Sequence, residues 1–208
     1  MTSRSYRSPQ REAAAQETRE RILAAAGELL AGAEGVARFS LDSVGKAAGV
    51  TRLTVYNQFG SRAALLEAVF DRVAHDAGIA RLAQAMGEPD PHEGLRKLVV
   101  VFCNFWSHDR EMMARLHTVG AADDEFRNAV VARSERRRHV LAALVKRMGG
   151  TPPAAATVRD LVDVLFALTG FAFFAELTAG GRSAEKACAL IQEMAADAVR
   201  RAGVDPAP

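Results

Sequence analysis

Cysteine is nearly absent from this chain of 208 residues, which contains only Cys103 and Cys188. The two residues lie far apart, and each falls within an apolar helical pattern. Small secreted domains that lack a sufficient core carry many paired cysteines, and this chain does not resemble them. We therefore expect two free, buried thiols in a cytoplasmic protein.

Runs of aromatic and β-branched residues are scarce too, and no segment shows the alternating period of a β-strand. Alanine is abundant, and alanine has the highest helix propensity of all residues. Apolar residues make up 49% of the sequence, as in an ordinary soluble globular protein. These features predict an all-α fold.

Long hydrophobic runs and a strong net charge are missing too. The longest apolar run, residues 164–175, is shorter than the roughly 20 residues that a membrane-spanning helix needs. The first residues are polar and arginine-bearing, so we expect no secretory signal. The net charge is only +2, but residues 1–62 carry nine basic and six acidic side chains, whereas residues 63–208 carry eighteen and nineteen. The basic excess of the N-terminal part favours contact with phosphate groups.

Helical periodicity covers most of the chain in about nine segments. We expect helices near residues 17–34, 40–48, 51–59, 61–76, 90–106, 110–117, 123–148, 151–178 and 183–202, with an irregular junction at 78–90. Residues 1–14 show no apolar period and carry Arg4, Arg7 and Arg11. Either a solvated tail or an arm that follows DNA phosphates fits this segment.

Residues 42–66 read DSVGKAAGVTRLTVYNQFGSRAALL and predict two short helices joined by a tight turn. Gly49 suits the turn because glycine adopts a positive φ at little cost, and Val44 and Val55 have the spacing of a small shared core. The exposed face of the second short helix carries side chains that bond base edges or phosphates: Arg52, Thr54, Asn57 and Gln58. The pattern is typical of a helix-turn-helix unit, although an ordinary helical hairpin has the same pattern.

Residues 41–66 resemble the DNA-binding segment of the tetracycline-repressor (TetR) family of bacterial transcription regulators. The matching residues are Leu41, Val44, Ala47-Ala48-Gly49-Val50-Thr51, Thr54-Val55-Tyr56, Phe59, Ser61-Arg62 and Leu65-Leu66. The similarity extends back through RERILAAAGELL to Gly35. It implies a sequence-specific transcription regulator, most often a repressor, with no enzymatic activity, cofactor or metal.

Two other classes of function stay open at the level of the sequence. The chain contains no G-x-S-x-G, H-E-x-x-H, paired C-x-x-C or glycine-rich phosphate loop, and its five histidines lack metal-ligand spacing. An all-helical enzyme with a scattered active site and a pure protein-interaction bundle are the alternatives.

The resemblance implies a DNA-binding role for Ser40, Thr51, Arg52, Leu53, Thr54, Tyr56, Asn57, Gln58 and Arg62. Thr51 would bind a phosphate with its hydroxyl and backbone amide at a helix N-terminus. Arg52 and Thr54 would face base edges, while Tyr56 and Arg62 would bind phosphates. We accordingly divide the chain into a flexible basic arm (1–16), a helix-turn-helix domain (17–62) and an effector-binding and dimerisation domain (63–208). Gly45 replaces the family's usual alanine, which should cost the first short helix up to about 1 kcal/mol.

One helix-turn-helix unit makes too few contacts for a specific site, so we expect a two-fold homodimer on a pseudo-palindromic operator. The last two helical segments carry apolar stripes, and the resemblance implies that they form the interface. The predicted interface residues are Phe173, Leu177, Cys188, Ile191, Ala195 and Ala198. Packing within one chain is the alternative.

Aromatic and sulfur-containing side chains on the middle helices predict either an ordinary core or an effector pocket. The predicted pocket residues are Phe102, Phe105, Trp106, Met113, His117, Phe126, Phe166, Phe171 and Phe174. His117, Asn104 or Trp106 would serve as a polar group for an apolar or amphipathic small molecule. The resemblance implies that this effector shifts the population between two spacings of the DNA-binding heads. Arg136-Arg137-Arg138 is expected to lie on a solvated helix face.

Overall fold

The computed structural model describes residues 9–32, 35, 38–114, 124–149 and 155–204 of the chain. These residues form ten α-helices and one short 3-10 helix, and they contain no β-strand, so the predicted all-α class is confirmed. The helices are α1 (Pro9–Ala31), α2 (Leu41–Ala47), α3 (Arg52–Phe59), α4 (Arg62–Asp76), α5 (Leu82–Gly87), α6 (Pro91–His108), α7 (Asp124–Met148), α8 (Ala155–Leu168), α9 (Phe171–Ala179) and α10 (Ala184–Ala202). Residues 110–114 are also helical.

The first helix begins at Pro9, so residues 9–16 of the predicted flexible arm are helical, which corrects the sequence-based boundary. Proline suits the first helical position, and the run Ala13–Ala15 has high helix propensity. Gln16 Nε2 donates a hydrogen bond to Glu20 Oε1 at 2.9 Å, one turn along the helix. The side chains of residues 10–17 are exposed, which explains why no apolar period marks this part of the helix.

Two further segments differ from the prediction. The segment expected to form a single helix over 151–178 breaks after Leu168, and α9 starts at Phe171. At the break, Thr169 Oγ1 donates back to the Leu165 carbonyl at 2.8 Å, and Gly170 precedes the new helix. The predicted irregular junction contains the 3-10 helix Ile79–Arg81 and α5.

None of the described helices is, taken singly, long and apolar enough to cross a membrane. Helices α8 and α9 meet the length and composition criteria only as a pair, which is bent by 48°.

The chain divides into two compact units, each with its own core. Of the described residues, the first unit comprises those up to Arg72 together with Ala114 and 124–127, and the second comprises 73–113 and those from 128 onward. The core of the first unit is formed by Ile22, Ala26, Leu30, Phe39, Val44, Val55, Leu65, Leu66 and Val69. Burial of a side chain of this size contributes roughly 1.5–3 kcal/mol, so this small unit depends on nearly all of them.

In the second unit, α6 packs against α5 and α10, and α10 also packs against α8. Gly94 permits the first of these contacts, because a Cβ atom at this position would lie 2.8 Å from the Ala85 carbonyl oxygen. Arg147 of α7 closes the end of α5, where its Nη1 donates to the Met86 carbonyl at 2.6 Å. Helix α10 turns a regular apolar stripe inward: Ala187, Ile191, Ala195 and Val199.

Candidate DNA-binding surface

Helix α2 is fixed at its N-terminus by a reciprocal pair of serines. Ser40 Oγ accepts from the Ser43 N–H at 3.1 Å, and Ser43 Oγ accepts from the Ser40 N–H at 2.9 Å. This capping box satisfies two backbone donors that a helix start would otherwise leave without partners. Ser40, a predicted DNA-binding residue, therefore also determines where α2 begins.

The turn between α2 and α3 depends on two glycines. Gly49 has a φ of 68°, a left-handed conformation that favours glycine. At Gly45 a Cβ atom would lie 3.0 Å from the Val50 carbonyl oxygen and 3.3 Å from the Arg52 amide nitrogen. The expectation that Gly45 merely weakens α2 was therefore incomplete, because this glycine also lets the backbone entering α3 approach α2 closely.

Thr51 caps the N-terminus of α3. Its Oγ1 accepts from the Thr54 N–H at 3.1 Å and lies 2.9 Å from Thr54 Oγ1. The capping oxygen is thus used within the helix, while the hydroxyl proton of Thr51 or Thr54 can be donated to a neighbouring acceptor. A helix N-terminus with its amide groups directed outward favours a phosphate.

Helix α3 turns one face inward and presents the other to solvent. Val55 is fully buried and Phe59 is buried, whereas Leu53 is 65% exposed and Tyr56 is 55% exposed. The remaining predicted contact residues lie on the same outward surface, with Arg52 and Asn57 exposed and Thr54 and Gln58 half-buried. The structure thus presents a hydroxyl, a guanidinium, a phenol and amides on one short, capped helix.

Arg19 of α1 holds the end of α3, a contact that the sequence reasoning missed. Its Nη1 donates to the Gln58 carbonyl at 3.1 Å, and its guanidinium lies over the Phe59 ring at 4.3 Å. A cation at a helix C-terminus stabilises carbonyls that have no partner within the helix. The sequence offered one signal for this contact. Arg19 precedes the buried Ile22 by three residues, so both side chains lie on the same face of α1.

Arg62, at the start of α4, is anchored within its own unit. Its Nε donates to the Phe39 carbonyl at 3.0 Å, and its guanidinium lies 5.7 Å from the Phe39 ring centre. Arg62 and Arg52 line one open cleft, together with Ser40, Leu41 and Asp42. The N-terminus of α2 and two guanidinium groups make this cleft suitable for a phosphate.

The charge of Asp42 in this cleft is balanced by Lys46, which lies one turn further along α2. Their Oδ2 and Nζ atoms are 2.8 Å apart, and the hydrogen bond from Lys46 to Asp42 raises the pKa of the lysine. Of the predicted basic arm, Arg11 is exposed on α1, and Arg4 and Arg7 lie outside the described residues.

Residues 22–69 match the sequence profile of bacterial regulatory proteins of the tetR family. The N-terminal part of the chain therefore carries a DNA-binding segment of the tetR type. The regulator TtgR of Pseudomonas putida is 39% identical over 92 residues, which are 43% of this chain and 43% of TtgR. The chain thus aligns with less than half of the length of that relative. TetR-family regulators are DNA-binding proteins and not enzymes.

Solved structures show the same fold across most of the chain. A TetR-like transcriptional regulator from Rhodococcus sp. RHA1 has a TM-score of 0.65 at 20% identity, covering 88% of this chain and 96% of that one. NalD, the secondary repressor of the MexAB-OprM multidrug efflux pump in Pseudomonas aeruginosa, has a TM-score of 0.64 at 22% identity, covering 88% and 96%. The two-unit helical architecture is therefore that of TetR-family structures.

Most of the predicted effector-pocket side chains pack together as a core. Phe102, Phe105, Trp106, Met113, Phe171 and Phe174 are all buried. The Trp106 ring centre lies 4.5 Å from that of Phe105, 6.3 Å from that of Phe102 and 5.6 Å from that of Phe171. His117 lies outside the described residues, as does the side chain of Phe126.

Phe166, the remaining predicted pocket residue, lies under two arginines of α7. The guanidinium carbons of Arg137 and Arg138 are 4.3 Å and 4.1 Å from its ring centre. The prediction that this arginine run lies on a solvated face was therefore wrong for Arg137, whose side chain enters the aromatic cluster. Arg137 precedes the buried Leu141 by one turn of α7, so its side chain lies on the inward face of this helix.

Two predicted dimer residues face their own core. Ile191 and Ala195 are each 1% exposed and belong to the inward stripe of α10, so neither can contact a second chain in this conformation. Phe173, Leu177 and Ala198 are half-buried. The outward side of α10 carries the exposed Met194, which is not among the predicted interface residues.

Both cysteines are free, as predicted, and each affects the ionisation of the other. The hydrogen bond to Cys188 and burial raise the pKa of Cys103, whereas the hydrogen bond from Cys103 lowers the pKa of the half-buried Cys188. In the part of the chain that the structure describes, no group of three or more histidine, cysteine, aspartate or glutamate side chains could hold a metal ion.

Proposed function

We propose that this protein is a cytoplasmic, homodimeric transcriptional repressor that binds a pseudo-palindromic operator and is released from it by a small-molecule effector. The observation that carries the proposal is α3, an eight-residue helix with polar side chains on its outward face. Its ends are fixed by the Thr51 cap and by Arg19, so the backbone that carries the outward side chains is ordered before DNA arrives. Preorganisation of this kind lowers the cost of ordering a recognition helix on binding.

The outward face of α3 supports a division of labour between base and backbone contacts. Arg52 on the first turn can reach the acceptor edge of guanine in the major groove. Tyr56 one turn later, and the cleft shared by Arg52 and Arg62, suit phosphates on either side of that groove. The name of NalD describes a repressor, and on that likeness we propose repression rather than activation.

An exposed apolar groove in the second unit supports the homodimer. Val164 of α8 is 46% exposed and Met194 of α10 is 37% exposed, and both line an open groove of about 430 Å³. The groove is bordered by Asp160, Asp197 and Arg201. In a two-fold interface the same patch meets itself, so acidic and basic side chains on one border can pair across the axis.

A mobility-shift experiment with the full chain tests the proposed function. DNA flanking the protein's own gene should be bound selectively over random DNA, and Arg52→Ala should reduce that preference. Arg136→Ala is the matched control, because Arg136 is exposed on α7 in the second unit. An absence of sequence-selective binding by the wild-type chain would support an enzyme or a protein-interaction bundle instead.

The oligomeric state tests the interface separately. Val164→Asp with Met194→Glu should convert a dimer into a monomer in light-scattering measurements and should weaken operator binding. Val131→Asp is the control, because Val131 is 53% exposed on α7 and outside the groove. A double variant that stays dimeric would rule out this groove as the interface.

A further inference from the structure

Arg137 is a half-buried cation whose guanidinium lies among aromatic rings. Its guanidinium carbon lies 4.3 Å from the ring centre of Phe166, 5.6 Å from that of Phe102 and 5.9 Å from that of Trp106. Three aromatic faces around one guanidinium provide cation–π attraction, but they provide no negative charge. The second unit therefore contains a charged group in an apolar setting.

The hydrogen bonds of Arg137 use only one side of the guanidinium group. Nη1 donates to the Thr169 carbonyl at 3.1 Å, at the break between α8 and α9. The Trp106 indole N–H donates to the same oxygen at 3.0 Å. On the other side, the Nε–H is buried and has no hydrogen-bond acceptor among the described residues. Nη2 points toward Gly170, where a Cβ atom would be 3.6 Å away.

No carboxylate in the described part of the chain pairs with Arg137. The neighbouring Arg138 takes the nearby acids, with an ion pair to Asp163 and an Nε–Oε1 distance of 3.5 Å to Glu135. Burial, followed by repulsion from Arg138, lowers the pKa of Arg137 to about 10, so the group is still charged at neutral pH. A half-buried charge with no counter-ion and with a buried N–H that has no acceptor is costly, and such a group calls for a functional explanation.

We propose that Arg137 binds the carboxylate of an amphipathic, anionic effector, whose apolar body packs against Phe102, Trp106 and Phe166. The Nε–Nη2 side of a guanidinium matches the two oxygens of a carboxylate, and this is the side that Thr169 leaves unused. This inference rests on the proposed function, since it names the chemical class of the effector. The sequence alone indicated only an apolar or amphipathic effector, whereas this inference makes the effector a monoanion.

Trp106 is the only tryptophan in the chain and shares the Thr169 carbonyl with Arg137, so its fluorescence reports on this site. The full-length protein is titrated with 4-tert-butylbenzoate and octanoate, and separately with the corresponding uncharged amides. We expect saturable changes in emission and a raised Tm with the acids, and at least about tenfold weaker binding of the amides. Equal binding of acid and amide, or no binding of either acid at millimolar concentration, would overturn the proposal.

Two variants separate ligand binding from structural support. Arg137→Met should lose the preference for acids and should melt no lower than the wild type, because Trp106 still donates to Thr169 and a half-buried charge is removed. Arg138→Met is the control, because Arg138 also stacks on Phe166 but pairs with an acid, and it should keep the preference. A large loss of Tm in Arg137→Met, or an unchanged acid preference, would contradict the proposed role.

The same samples distinguish this proposal from the proposed function. A protein that binds its operator but shows no preference for acids would refute only the role of Arg137. If the protein binds acids through Arg137 but shows no sequence-selective DNA binding, the proposed function as a regulator is refuted and the proposed anion site is still supported.

Discussion

The substitution Gly94→Ala tests the close packing of α6 against its neighbours. A Cβ atom at this position would lie 2.8 Å from the Ala85 carbonyl oxygen and 3.0 Å from Leu144 Cδ2. The first of these atoms is backbone, so α5 or α6 must move to relieve the overlap. Overpacking of this kind typically costs about 1–3 kcal/mol, and the better helix propensity of alanine returns about 0.5–1 kcal/mol.

At the middle of these two ranges, the expected net loss in Gly94→Ala is about 1 kcal/mol, which for a chain of this size lowers Tm by roughly 2–4 °C. Gly87→Ala is the matched control, because Gly87 ends α5 and a Cβ there would meet no atom within 4 Å. That change should leave Tm unchanged or raise it, through the reduced entropy of the unfolded chain. Thermal denaturation followed by circular dichroism measures both variants. If Gly94→Ala melts at or above the wild-type temperature, the inferred steric limit between α5 and α6 is wrong.

Three further predictions concern the DNA-binding face and the thiols. Tyr56→Phe removes one phenolic hydroxyl, so it should weaken binding to the operator and to random DNA alike and leave the salt slope of log K unchanged, because the phenol carries no charge; a loss confined to the operator in fluorescence anisotropy would exclude a phosphate contact. Arg52→Ala should cost about 1–3 kcal/mol on the preferred operator and much less on random DNA, and an equal loss on both would show that Arg52 reads no base. Iodoacetamide should modify Cys188 well before Cys103, because the hydrogen bond from Cys103 lowers the pKa of Cys188 while Cys103 is buried; faster labelling of Cys103 in peptide mass spectrometry would contradict the assigned direction of that hydrogen bond.

Arg62 shows how the structure changes the design of a test. The sequence comparison implied only a phosphate contact, but Arg62 Nε also donates to the Phe39 carbonyl. Removal of the side chain would therefore disturb the link between α4 and the segment before α2, as well as any phosphate contact. Tyr56 is the cleaner probe of the phosphate contacts, because its phenol is exposed and its substitution by phenylalanine preserves the ring.

The sequence by itself determined the helix-turn-helix and the ends of most helices. Ser40 and Thr51 cap α2 and α3 where expected, Ser183 caps α10 through the Lys186 N–H at 3.3 Å, and Gly49 adopts its positive φ. These features depend on groups only a few residues apart in the chain, so they are visible in a local pattern. The outward face of α3 follows from the same local spacing.

Only the tertiary structure decided which side chains on each helix meet a distant partner. Arg137 belongs to a run of three arginines, yet it alone is surrounded by Phe102, Trp106 and Phe166. Ile191 was expected at an interface between chains and lies in the core of its own unit. The physical reason is that periodicity defines a helix face, whereas the neighbour of that face depends on the packing of residues far apart in sequence.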